Sequence, residues 1–276
     1  MYRGTLSALV SAIAAIAMVL APAGASADHN ADPIHPGVQT VTEGAQCTSN
    51  FVFRDGAGTY LGQAAHCSGT GGATETDGCD SGSLPIGTPV EIDGASRPGT
   101  LVYNSWITMQ AQNESDDETC AYNDLALVKV DPADVAKVGS SVPGFGGPTA
   151  VAPASENTGD TVFTYGNSSL RFGIAQLRPK EGRIVQSSEG GWSRDVYTAT
   201  PGIPGDSGSG FLSDTGEAIG VLSTVQLAPL AGSNGVGDLS RELNYMRAHS
   251  SFSGVQLVPG TRPFRPDLVA AIQGDE

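Results

Sequence analysis

The chain has 276 residues and carries 14 Lys and Arg against 29 Asp and Glu, a formal charge of −15 at pH 7. Its 37 Gly and 17 Pro make about a fifth of the residues, which excludes collagen and falls below the ~25–30% of low-complexity chains. The acidic balance argues against nucleic acid as a partner, because that affinity comes from Lys and Arg neutralising phosphates.

The N-terminal segment reads as an export signal. Arg3 precedes a largely apolar run from Leu6 to Leu20, then Pro22 and the small-residue triplet Ala25-Ser26-Ala27. That run falls short of the ~20 apolar residues a membrane span needs, and no second long apolar stretch occurs. Residues 1–27 are therefore expected to be cleaved off, leaving residues 28–276 as a secreted domain without membrane association, expected to be a monomer.

Export decides how the four cysteines read. Cys47, Cys67, Cys79 and Cys120 form no Cys-x-x-Cys pair, so zinc or thioredoxin chemistry is not indicated and two disulfides are the default. Of three possible connectivities the sequential one is favoured, Cys47–Cys67 with Cys79–Cys120.

Next along the chain come short β-rich segments between Gly, Pro, Ser and Asp turns. Examples are Asn50–Phe53, Tyr60–Gln63, Pro89–Ile92, Thr100–Tyr103, Leu125–Val130, Thr161–Tyr165, Arg183–Gln186, Asp195–Thr198, Gly210–Leu212 and Ala218–Thr224. This spacing predicts an all-β sandwich or barrel rather than βαβ units. Asp131-Pro132-Ala133-Asp134-Val135 predicts one short helical turn, with an acidic N-cap and Pro at the first position. A longer helix is predicted over Asp238–Ala248, where Leu239, Leu243 and Met246 recur at helical spacing. The acidic segment Asn113–Glu118 lacks the alternation and Gly of a calcium loop and reads as a solvated loop. No metal and no cofactor are expected.

Three residues carry the chemical reading. Ser207 sits in Gly205-Asp206-Ser207-Gly208-Ser209-Gly210, small neighbours that leave backbone N–H groups free to face a developing oxyanion. The plain alternative is a tight glycine turn. His66, in Gln63-Ala64-Ala65-His66-Cys67, closes a predicted strand and suits a general base held on a fixed turn. Asp124 directly precedes the apolar run Leu125-Ala126-Leu127-Val128, where it either caps the strand or orients an imidazole.

The order His66…Asp124…Ser207, with Ala64-Ala65-His66-Cys67, Asp124-Leu125-Ala126-Leu127 and Gly205-Asp206-Ser207-Gly208, resembles the chymotrypsin/trypsin-like serine protease family. The likeness runs from about Cys47 to Met246, particularly to secreted actinobacterial-type members. It implies two six-stranded antiparallel β-barrels, about 38–135 and 150–236, with the site between them, a C-terminal helix over 238–248 and a tail over 251–276. It also implies an oxyanion hole from the N–H groups of Gly205 and Ser207, and supports the Cys47–Cys67 bridge. Ala218–Thr224 becomes the strand that pairs with the substrate backbone, with Ser223 at the entrance of the specificity pocket.

By the same likeness the pocket floor falls near Pro201 and Gly202, where a protease for Arg or Lys would carry Asp. Leu222 stands where glutamate-specific relatives carry His, and Thr224 and Val225 line the entrance. The expected substrate is a protein or peptide cleaved after a small or medium apolar residue. In animal members a freed N-terminal amine pairs with the aspartate matching Asp206, but here no Lys or Arg occurs between Arg3 and Arg54. An internal arginine, Arg171, Arg183 or Arg194, is expected to hold Asp206 instead. Two rivals share the fold: a binding protein without turnover, and an esterase-like hydrolase. The α/β-hydrolase elbow is excluded, because Ser209 stands where Gly-x-Ser-x-Gly requires glycine.

Overall fold

The computed structural model describes residues 32–72, 76–153, 158–225 and 232–274, and the expected export segment 1–27 lies outside them. The first half holds strands β1 (Gln39–Thr42), β2 (Ala45–Thr48), β3 (Val52–Arg54), β4 (Thr59–Ala64), β5 (Pro89–Ile92), β6 (Gly99–Asn104) and β7 (Leu125–Lys129). Helices α1 (Ser105–Gln112) and α2 (Asp117–Tyr122) lie between β6 and β7. The second half holds β8 (Thr161–Tyr165), β9 (Pro179–Ser187), β10 (Ser193–Thr198), β11 (Gly210–Ser213), β12 (Ala218–Val225) and β13 (Asn234–Asp238). Helix α3 (Leu239–His249), the short strand β14 (Gln256–Leu257) and helix α4 (Leu268–Gly274) complete it.

The second half closes into a six-stranded barrel in the order β10-β13-β12-β11-β8-β9, with β9 pairing back onto β10. The first half corrects the expectation of a matching barrel. It is an eight-stranded antiparallel sheet, ordered β14-β3-β4-β7-β6-β5-β1-β2. Closing it would require β2 to pair along β3, but β14 from the C-terminal tail occupies that edge, through Gln256–Arg54 and Leu257–Phe53. The tail thus covers an edge that would otherwise present unpaired backbone groups.

The central strand β7 explains its own sequence. Leu125 and Leu127 face a core shared with the barrel and α3, while Ala126 and Val128 face the core between the sheet and α1. Burial on both faces makes a strand read as an unbroken apolar run rather than an alternating one. A third cluster, including Val162, Ile184, Val196, Phe211 and Val236, fills the barrel.

Helix α3 begins where its capping signal lies, with the Asp238 side chain accepting from the Arg241 N–H at 2.8 Å. The expected turn at Asp131 is a capped turn leading into a 3-10 helix over Val135–Lys137. The acidic segment corrects the loop expectation in part. Asp116 caps α2 by accepting from the Thr119 N–H, and Asp117 and Glu118 form its first turn, where acidic residues complement the helix dipole. Helix α1 went unpredicted, because its Asn104 cap sits at the end of a convincing strand pattern. The tail binds both halves: Phe252 meets Tyr60 and Tyr103 edge-on, and Phe264 meets Phe163.

Candidate active site

Strand pairing brings His66 and Asp124 together. The end of β4 pairs with the start of β7 at Ala64–Leu125, so the residues flanking that pair meet across the sheet. Beyond it the chain turns into a 3-10 helix over Ala65–Ser68, where Ala65 N–H donates to the Asp124 carbonyl at 2.9 Å. The Cys47–Cys67 disulfide anchors this turn to β2, and Cys79–Cys120 closes the second bridge, so the sequential connectivity holds.

Both Asp124 oxygens serve His66. Oδ1 accepts the His66 backbone N–H at 2.9 Å, and Oδ2 meets Nδ1 at 2.6 Å. Asp124 is buried, whereas the imidazole keeps 24% of its surface exposed, toward the cleft. Burial pulls the His66 pKa down, but the charge and hydrogen bond of Asp124 outweigh it, leaving the imidazole above its ordinary value of 6.5.

Ser223 reaches the same carboxylate, donating its hydroxyl to Oδ2 at 2.6 Å. The β12–β13 register shifts between Leu222 and Thr224, so Ser223 is the residue that strand pairing skips. A bulge of this kind re-aims a side chain.

Ser207 comes from the loop before β11. Its carbonyl accepts from Thr48 N–H at 2.8 Å, and the next residue, Gly208, donates to Leu222 at 2.7 Å. Gly205 and Gly208 have φ of +96° and +88°, where side chains are strained. A Cβ at Gly208 would also stand 2.6 Å from the Thr48 carbonyl oxygen. Ser207, His66, Gly205, Leu222, Ser223 and Thr224 all line one cleft of about 930 Å³. The Ser207 hydroxyl makes no hydrogen bond among the described residues. The N–H groups of Gly205 and Ser207 likewise have no acceptor among them. The Gly205 carbonyl is occupied by Thr48 Oγ1 at 2.8 Å and Gln46 Nε2 at 2.9 Å.

Asp206 points away from the cleft and is fully buried. Of the three candidate arginines, Arg171 holds it, at 2.8 Å from Oδ2, while Arg194 pairs with Asp238 and Arg183 donates to Gly159. Lys180, which the sequence reading missed, stands 3.3 Å from the same oxygen. Burial lowers the Lys180 pKa to about 8, with Asp206 opposing the shift and Arg171 adding to it. Backbone N–H groups of Ser168 and Ile203 complete the carboxylate's partners.

The remaining pocket residues divide. Gly202 is buried and donates to Asn234 Oδ1 at 3.0 Å, whereas Pro201 is exposed, with its carbonyl tied to Arg171. Val225 ends β12 opposite Asn234, and its side chain lies outside the described residues. Neither Pro201 nor Gly202 is among the residues lining the cleft.

A model of the trypsin-like peptidase domain matches residues 49–221, a span that includes His66, Asp124 and Ser207. The chain belongs to the trypsin-like peptidase family. Its structure is similar to that of Protease A from Thermobifida fusca, with a TM-score of 0.54 and 19% identity over 82% of this chain and 99% of that one. It is also similar to a chymotrypsin from Cellulomonas bogoriensis, with a TM-score of 0.50 and 17% identity over 82% and 98% of the two chains. At such identities the likeness is one of fold. No curated protein matches the chain significantly by sequence. This trypsin-like peptidase has no helix, among its described residues, long and apolar enough to cross a membrane.

Proposed function

We propose that the chain is an exported serine endopeptidase in which Ser207, His66 and Asp124 act as a catalytic triad. The observation that carries the reading is the 2.6 Å contact between His66 Nδ1 and Asp124 at the wall of a cleft that Ser207 also lines. Rotation of the Ser207 side chain onto His66 Nε2 sets up attack on the scissile carbonyl; such bonds are often open before substrate arrives and close in the complex. His66 takes the hydroxyl proton as Ser207 attacks and gives it to the leaving amine as the acyl-enzyme forms. It then deprotonates the water that releases the acyl group, returning the proton to Ser207, while Asp124 fixes the tautomer and stabilises the imidazolium. The free N–H groups of Gly205 and Ser207 would receive the oxyanion, each such donor contributing a factor of about 10²–10³.

Buried Leu222 on the cleft wall, where glutamate-specific relatives would carry His, favours a small or medium apolar residue before the scissile bond. Export is supported by the two disulfides and the N-terminal sequence pattern. The test combines fluorophosphonate labelling with digestion of a peptide library, Ser207→Ala serving as control. Labelling and cleavage that vanish in S207A, with about a 10⁶-fold loss of kcat, are the expected result. An unlabelled wild-type protein would reduce the chain to a binding module. Hydrolysis of esters but not matched amides would make it an esterase, and cleavage mainly after Arg, Lys or Glu would overturn the specificity.

A further inference from the structure

Against the backbone of Asp124 lies a second carboxyl group for which the candidate triad has no use. Glu242, on the first turn of α3, is completely buried, and its Oε1 accepts the Asp124 backbone N–H at 3.0 Å. Its other oxygen, Oε2, has no hydrogen-bond partner. No cation pairs with it among the described residues, and Arg194 is engaged by Asp238 at 2.6 Å. A Cβ at Gly237 would stand 2.7 Å from Oε1, so the close fit of the carboxyl depends on glycine there.

We propose that Glu242 is a positioning residue of the candidate triad, an uncharged carboxylic acid whose Oε1 fixes the Asp124 backbone and so sets how Asp124 meets His66. The inference rests on the serine endopeptidase reading. The Asp124 peptide is then held at both ends, its carbonyl by Ala65 N–H and its N–H by Glu242. Glu242 thereby ties the site in the sheet to the helix packed against the barrel.

The surroundings keep Glu242 neutral. Strand β7 brings Asp124 before it, β13 ends in Asp238, and β6 contributes Tyr103. Helix α1 and strand β12, which also pack against α3, carry no titratable side chain on their described surfaces. Burial comes first in raising the Glu242 pKa well above the carboxylate range, opposed by the Asp124 N–H and reinforced by the charges of Asp124 and Asp238. An unpaired charge here would repel the carboxylate that His66 needs.

Two measurements decide it. Infrared difference spectra of wild type against Glu242→Gln at pH 7 should show a buried protonated carboxylic acid in the wild type that the variant lacks; no such band overturns the neutral state. In kinetics, E242Q keeps both the acceptor and the neutrality, so kcat should stay within about threefold and the acid limb should not move. Glu242→Leu strands the Asp124 N–H, and should lower kcat by about tenfold or more at little change in KM. It should also move the acid limb to lower pH as His66 loses part of its partner. A lowered limb in E242Q would mean that Glu242 is ionised, and an unchanged kcat and limb in a folded E242L would mean that it positions nothing. Should E242L fail to fold, E242Q and the infrared band still decide the proposal. Failure of the protease reading itself would appear separately, as a wild-type protein that fluorophosphonate does not label.

Discussion

Ser223 and His66 share one oxygen of Asp124, each at 2.6 Å from Oδ2. Ser223 therefore supports the carboxylate of the proposed triad while also lining the cleft whose entrance its place in the sequence suggested. Hydrogen bonds to charged groups contribute roughly 1.5–3 kcal/mol, so Ser223→Ala should lower kcat by about tenfold to a hundredfold. KM for small peptides should change little, where a pocket role would move it. With one donor gone, the carboxylate concentrates its charge on His66, and the acid limb of kcat/KM should move to higher pH.

The pH profile follows from the raised His66 pKa. The base must be neutral to accept the Ser207 proton, so kcat/KM should fall with decreasing pH around a midpoint above 6.5. Asp124→Asn removes the charge that raises it; the midpoint should drop and kcat fall by about 10⁴. Stability takes the opposite sense. A histidine raised in the folded state contributes stability below its unfolded pKa, and that contribution is lost as pH rises through the folded value. Urea midpoints of wild type and His66→Ala across pH 5 to 8 should converge toward the upper end.

Arg171 and Lys180 flank Asp206 unequally. Arg171→Met breaks a buried pair, which costs about 3 kcal/mol and, at this chain length, lowers Tm by about 6–12 °C. Loss of the loop geometry should also weaken fluorophosphonate labelling of Ser207. Lys180→Met leaves Arg171 in place and should keep most of the activity. The Lys180 pKa is depressed to about 8. Between there and its unfolded value the native state binds fewer protons, so this group makes wild-type stability rise with pH over that window. Denaturation midpoints at pH 8 and 10 should show that rise in wild type and lose it in K180M.

The two disulfides should separate structure from site. Their sequence separations of 20 and 41 correspond, in the chain-entropy model, to about 3 and 4 kcal/mol respectively. Replacing Cys79 and Cys120 by Ala should therefore cost at least as much stability as replacing Cys47 and Cys67. Activity should follow the reverse order, because only Cys67 adjoins His66. Thermal melts and kcat of the two double variants check both.

Much of the site was legible before folding. His66, Asp124 and Ser207 stand beside strands whose apolar runs announce them, and the glycines around Ser207 mark backbone that side chains would strain. Glu242 left a trace as well: it falls on the same helical stripe as Leu239, Leu243 and Met246, where an acidic residue has no solvated place. Helix α2 was missed because Asp116, Asp117 and Glu118 look like a solvated run until the Asp116 cap is seen.

Local sequence by itself determined most of the strands (β1, β2, β13 and β14 were missed), the capped helix α3 and the residue types that can transfer a proton, because periodicity, capping and turn chemistry act over a few neighbours. Only the tertiary structure decided that the first sheet stays open, that Arg171 rather than Arg183 or Arg194 holds Asp206, and that Ser223 turns toward Asp124. Each of these depends on which distant segments pack together: β14 on the edge of β3, the β8–β9 loop over Asp206, and a bulge between β12 and β13. Such choices are set by burial and pairing between residues far apart in the chain, and no short window of sequence contains both partners.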